Sequence, residues 1–218
     1  MIINTTADVS RLTLGAAKLG NDQANAEPIT LEEAKAHLRV DGDDEDDLIE
    51  ALITASREAA ERFTGRIFMS TQIEVAYNAR DLTGRPLFSV VRCLAIPHPP
   101  LSSVERLTWY DHNSIAHIMD PEDYYLDTFS EPGRLVLHDF AEPPTDLRER
   151  IAVVIQATVG YGETGDTVPQ AIRQGMLQIL GNAYADREGG SEQTATEMGQ
   201  PIPPLARRLL QPYRVVSL

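Results

Sequence analysis

The chain has 218 residues, 42% of them hydrophobic and 24% charged, enough to bury a core in one domain or in one domain inserted into another. Its formal net charge of −14 argues against a broad surface that grips a phosphate backbone. A single cysteine, Cys93, excludes an internal disulfide and any four-cysteine or Cys2His2 zinc site.

The N-terminal stretch "MIINTTADVS" lacks the basic region and apolar core of a secretion signal. No apolar run approaches the roughly 18 to 20 residues that cross a bilayer. Residues 1–27 are polar and irregular and predict an extended arm. "ITLEEAKAHLRV" then opens on a capping box, in which Thr30 accepts from the Glu33 amide and Glu33 reaches back. Leu31, Ala34 and Leu38 form the stripe of a short helix.

An acidic run follows, with six acids in the seven residues from Asp41 to Asp47. Beyond it, Leu48, Leu52, Ala55, Ala59 and Phe63 recur at helical spacing, widened by Ile49, Ile53 and Ala60. The pattern predicts a helix from about Asp44 to Phe63, stopped by Gly65 and forming a hairpin with the first.

From Arg66 to about Tyr161 the reading changes to strands. "IFMSTQIEVAYN" roughly alternates, "SVVRCLAIP", "VERLTWYD" and "RLVLHD" are short apolar runs, and "RIAVVIQATVGYG" reads as a buried β-branched strand. Prolines at 97, 99, 100, 121, 132, 143 and 144 punctuate the region. Helical signals return at "DTVPQAIRQGMLQILGNAYADREGG", with Asp166 or Thr167 as cap and Ile172, Met176, Ile179, Leu180 and Ala183 as the stripe. A last short helix spans about Pro203 to Leu210, before "QPYRVVSL".

The predicted class is α+β: a helical bundle formed by N- and C-terminal helices around an inserted small antiparallel β-domain. The predicted division is an arm at 1–27, a bundle from 28–65 and 166–211, a β-rich insertion at 66–165, and a tail at 212–218.

Candidate chemistry is sparse. An EF-hand loop starting at Asp41 needs glycine where Asp46 stands and a bidentate glutamate where Leu52 stands, so the calcium reading fails. Asp43 or Asp44 reads better as a helix cap, with the other acids at the positive end of the dipole, each contributing about 0.3–1 kcal/mol. The acids from Asp41, Asp43, Asp44, Glu45, Asp46 to Asp47 exceed what capping requires. The five histidines form no metal pattern, no Gly-x-Ser-x-Gly elbow is present, and "TVGYGETG" lacks the ending of a phosphate loop. Cys93 sits in an apolar strand and reads as buried. Neither a catalytic residue, a metal site nor a cofactor is expected. A metal-dependent hydrolase built on residues 41–50 is a remote alternative.

Three stretches together resemble the head–tail connector (adaptor, or head-completion) family of tailed bacteriophages, which includes adaptors of gene transfer agents. They are "ITLEEAKAHLRVDGDDEDDLIEALITASREAAERFTGR", then "LAIPHPPLSSVERLTWYD" with "YYLDTFSEPGRLVL", then "IAVVIQATVGYGETGDTVPQAIRQGMLQILGNAYADREG" with "PPLARRLLQPYR". The resemblance implies a non-enzymatic virion protein at the head–tail junction, assembled in the bacterial cytoplasm. Such proteins form a ring, usually a dodecamer, below the portal protein. The ring extends the DNA channel and docks a stopper or tail-terminator protein. Double-stranded DNA passes without sequence-specific binding, and no membrane is involved. A stopper or tail-completion protein of the same junction is the alternative.

The resemblance also implies that the segment after the last helix engages the portal. Here it comprises Gln211, Pro212, Tyr213, Arg214, Val215, Val216, Ser217 and Leu218. The surplus acids from Asp41 to Asp47 become candidates for the ring surface or the channel wall, where negative charge keeps passing phosphates from sticking.

Overall fold

A computed structural model describes residues 17–19, 26–80, 86–88, 92–186 and 202–215. The class is α+β, as expected. The chain divides into two compact units, one of residues 24–69 and 161–215, the other of residues 1–23, 70–160 and 216–218.

The first unit is helical. α1 (Leu31–Leu38), α2 (Asp46–Thr64), α3 (Gln170–Ala185) and α4 (Pro204–Leu210) surround one apolar core. The capping box forms as predicted: the Glu33 amide donates to Thr30 Oγ1 at 3.1 Å, and the Thr30 amide donates to Glu33 Oε2 at 3.0 Å. That backbone hydrogen bond from Thr30 is the largest cause holding the Glu33 carboxyl below the usual range, and Arg173 adds to it.

On α2 most of the predicted stripe faces the core: Ile49, Ile53 and Ala60 are buried in it, and Leu52, Ala59 and Phe63 pack against it. Leu48 and Ala55 are exposed, whereas Ser56 and Thr64 are buried. Their hydroxyls make this possible. Ser56 Oγ donates to the Ile53 carbonyl and Thr64 Oγ1 to the Ala60 carbonyl, each at 2.8 Å, so both enter the core with the hydroxyl donor satisfied. Gly65 caps α2 in the left-handed conformation at φ 73°. α3 begins after Pro169, which itself occupies the cap position, and Asp166 and Thr167 lie instead in a short 3-10 turn. The predicted stop at Gly189–Gly190 lies outside the described residues.

Glu61 ties this unit together internally. Its carboxylate accepts from the Phe68 amide at 2.8 Å and from Arg57 Nη1 at 3.0 Å, while Arg57 Nε also holds Glu27 at 2.8 Å. Burial is the largest influence on the Glu61 carboxyl and pushes it up despite these donors.

The second unit is built of two antiparallel sheets. One has the order β1-β2-β8-β4-β5, from Ala17–Leu19, Thr71–Tyr77, Val153–Val159, Leu101–Tyr110 and Ala116–Ile118. The other has the order β3-β7-β6, from Cys93–Ala95, Arg134–Leu137 and Tyr124–Asp127. β8 is central, and its alternation buries Val153, Ile155, Ala157 and Val159. On the other face Gln156 bridges its neighbours, donating to Glu74 of β2 at 2.7 Å and accepting from Arg106 of β4 at 2.8 Å. β1 comes from the predicted arm, where no strand was expected; it pairs Ala17 with Val75 and Leu19 with Ile73. Cys93 is buried, and burial raises its thiol pKa.

Candidate docking surfaces

The acidic run folds into a turn that leads into α2. Asp41, Asp43 and Asp44 are exposed, Glu45 and Asp46 are half-buried, and Asp47 is exposed in the first helical turn. Neither Asp43 nor Asp44 caps the helix. The cap position falls on Glu45, which makes no side-chain capping bond.

Other partners draw these carboxylates away. Lys35 Nζ donates to Asp46 at 2.7 Å and to Asp43 at 3.0 Å, and the Tyr184 hydroxyl donates to Glu45. The hydrogen bond to Asp46, then that to Asp43, raises the Lys35 ammonium pKa. Asp41, Asp44, Asp47 and Glu50 meet no cation among the described residues. Among those residues no group of three or more His, Cys, Asp or Glu side chains is placed to hold a metal ion.

The segment after α4 lies against the end of α2. Gln211, Pro212 and Tyr213 form a 3-10 turn. The Tyr213 carbonyl accepts from Arg66 Nε at 2.5 Å, and the Val215 amide donates to the Thr64 carbonyl at 2.8 Å. Arg214 is exposed, with its guanidinium 5.6 Å from the Phe63 ring centroid. Val216, Ser217 and Leu218 lie outside the described residues. Arg207 of α4 approaches the same ring at 5.8 Å, and Arg62 and Arg208 are exposed. The approach of Arg207 and Arg214 to Phe63 was missed in the sequence because the ring and the two guanidinium groups come from opposite ends of the unit. Spacing alone did not connect Phe63 with Arg207.

The sheet unit exposes aromatic residues. Phe129 is 99% exposed, and His138 stacks on Phe140 with ring centroids 5.0 Å apart. His112 pairs with Asp146 at 2.6 Å, a contact that raises the His112 pKa. Trp109 stacks on His117 at 4.1 Å.

Residues 28–119 match the family model described as phage gp6-like head-tail connector protein. The resemblance read from the sequence therefore holds over that stretch. Among solved structures, a chain in the neck of an empty GTA particle, computed with C6 symmetry, is 18% identical with a TM-score of 0.72. The match covers 92% of this chain and 96% of that one. A chain of the native gene transfer agent (GTA) virion matches at TM-score 0.67 and 18% identity, over 91% of this chain and 95% of that one. One in the native GTA neck, computed with C12 symmetry, matches at TM-score 0.68 and 18% identity, over 91% and 96%. At such identity the likeness establishes a shared fold. No curated protein matches the chain.

Proposed function

We propose that this chain is a non-enzymatic structural connector at the head–tail junction of a tailed phage or gene-transfer-agent particle. It forms a ring, a dodecamer, beneath the portal protein, extends the DNA channel and docks the stopper or tail terminator. The observation that carries the reading is the shared fold with a GTA neck chain over 92% of the length, joined to the connector-family match at residues 28–119. Chains of this fold in necks computed with C6 and C12 symmetry support the ring. The net charge of −14 suits a wall past which DNA slides rather than a site that holds it.

Two surfaces carry the contacts. Gln211 through Leu218 engage the portal, and the acids from Asp41 to Asp47 lie on the ring or channel surface. The test mixes the protein with portal-containing heads that lack their connector. A ring at one vertex in electron micrographs is expected, and no association with the portal overturns the reading. Deleting Val216 to Leu218 leaves the bonds of Tyr213 and Val215 in place. It should abolish portal docking without altering circular dichroism. Normal docking by the truncated chain refutes the tail assignment.

A further inference from the structure

The helical unit carries opposite charge at the two ends of α2. We propose that in the ring each copy docks its acidic link onto the arginine face around Phe63 of the next copy. The inference rests on the ring reading above and names the two surfaces that close it.

At one end, Asp41, Asp44, Asp47 and Glu50 are exposed and meet no cation among the described residues. The neighbouring acids differ: Asp43 and Asp46 are held by Lys35, and Glu45 by Tyr184. At the other end, Arg207 lies over the half-buried Phe63 ring and Arg62 and Arg208 are exposed beside these two in sequence, while Arg214, which also reaches the ring, belongs to the segment assigned to the portal. None of these four arginines meets a carboxylate among the described residues.

The two ends cannot neutralise each other within one copy. At about 1.5 Å of rise per residue, α2 holds even Glu50 and Arg62 about 18 Å apart along its axis, beyond the reach of an ion pair. Pairing like end with like end sets acid against acid and arginine against arginine, so a two-fold dimer through either patch is disfavoured. Pairing unlike ends joins the copies head to tail, the geometry that closes a ring.

Apolar exposure points to the same two places. Among the described residues, the helical unit exposes only two large hydrophobic side chains, Leu48 at 41% and Leu205 at 50%. Leu48 adjoins the acidic link in the first turn of α2, and Leu205 lies one helical turn before Arg208 on α4. Leu48 gives the acidic link an apolar neighbour, and Leu205 shares its side of α4 with Arg208, extending the basic end beyond the Phe63 ring. Phosphate groups would use the arginines and leave Leu205 unexplained.

Charge exchange tests the proposal. One variant carries Asp41→Lys, Asp44→Lys and Asp47→Lys; the other carries Arg207→Glu and Arg208→Glu, outside the segment assigned to the portal. Both should retain the native circular dichroism spectrum. By sedimentation at low salt, the native chain should self-associate, and each variant alone should lose about tenfold or more in association constant. An equimolar mixture of the two should recover association, because every interface then pairs a basic link with an acidic face or the reverse.

A native chain that stays monomeric at low salt overturns the proposal, as does a mixture that fails to recover. So does loss of duplex-DNA binding by Arg207→Glu/Arg208→Glu with self-association unchanged. Docking of the native chain to portal-bearing heads is scored separately, so the connector reading survives a failure here and can fail while this contact holds.

Discussion

Replacing Leu210 with alanine should weaken the helical unit strongly, and a second substitution should partly repair it. Leu210 is fully buried at the end of α4. A Cβ added at Gly175 of α3 would lie 3.0 Å from both Leu210 Cγ and Cδ2, so the two helices approach through the space a methyl group would fill. Truncating leucine to alanine removes three carbons, about 2.4 kcal/mol at about 0.8 kcal/mol each. The residual cavity brings the total to about 3–4 kcal/mol. Gly175→Ala alone gains about 1 kcal/mol of helix propensity and loses about 1–3 kcal/mol to crowding against Leu210. In the Leu210→Ala background the crowding disappears and the new methyl occupies part of the cavity. The double variant should therefore be more stable than the sum of the singles predicts, by about 1–3 kcal/mol. Urea unfolding followed by far-UV circular dichroism measures all four corners of the cycle. Additivity within about 0.5 kcal/mol, or a loss below about 1 kcal/mol for Leu210→Ala alone, would refute this account of the α3–α4 contact.

Other substitutions address single features. Thr30→Ala breaks the capping box and should cost about 1 kcal/mol, read from the urea midpoint. Glu33 has a lowered pKa in the folded state, so its contribution is present above the unfolded carboxylate pKa and fades as pH falls through the lower folded value. The native chain should lose stability over that acid window more steeply than Glu33→Gln, as followed by thermal melts across pH. Asp146→Asn should return the His112 titration, measured by NMR, from above 6.5 towards that ordinary value, because the Asp146 hydrogen bond is the largest cause of the shift. Gly165→Ala would put a Cβ 2.5 Å from the Pro28 carbonyl oxygen, an atom that Arg173 Nε also holds at 3.0 Å, and should cost about 1–3 kcal/mol in the same unfolding assay.

Local signals were legible in the sequence where one residue type has one dominant use. The capping box at Thr30 and the left-handed cap at Gly65 are both formed. The β-branched run became the central strand β8, because strands buried on alternate positions by neighbours on both sides favour such residues. Periodicity located the apolar part of the α2 core face but not the polar side chains that satisfy themselves within it. Ser56 and Thr64 return their hydroxyls to the preceding turn, so the true core face of α2 contains residues that look polar. The acidic run misled in a related way. Proximity to the helix suggests a cap, but Lys35 and Tyr184, distant in sequence, hold the carboxylates instead. β1 could not be found at all, because three residues beside an existing edge take their order from β2 rather than from their own pattern. The arginine face has the same origin: it exists only once α4 is laid beside the end of α2.

The position of β8 has a consequence for synthesis of the chain. β2 and β4 do not pair with each other but with β8, whose first residue, Val153, follows Tyr77 by more than 70 positions. The helical unit likewise closes only when α3 and α4 arrive, after residue 170. Neither unit can complete its native contacts while the first two-thirds of the chain emerges from a ribosome, although the β3-β7-β6 sheet and the β4–β5 pair can form. At about 5–20 residues per second the β2 and β4 edges stay open for several seconds, exposed to one another and to other nascent chains. Completion of the sheet unit thereby waits for β8, and that of the helical unit for α3 and α4. A prematurely terminated fragment lacking β8 would hold no finished unit and would be a substrate for proteolysis.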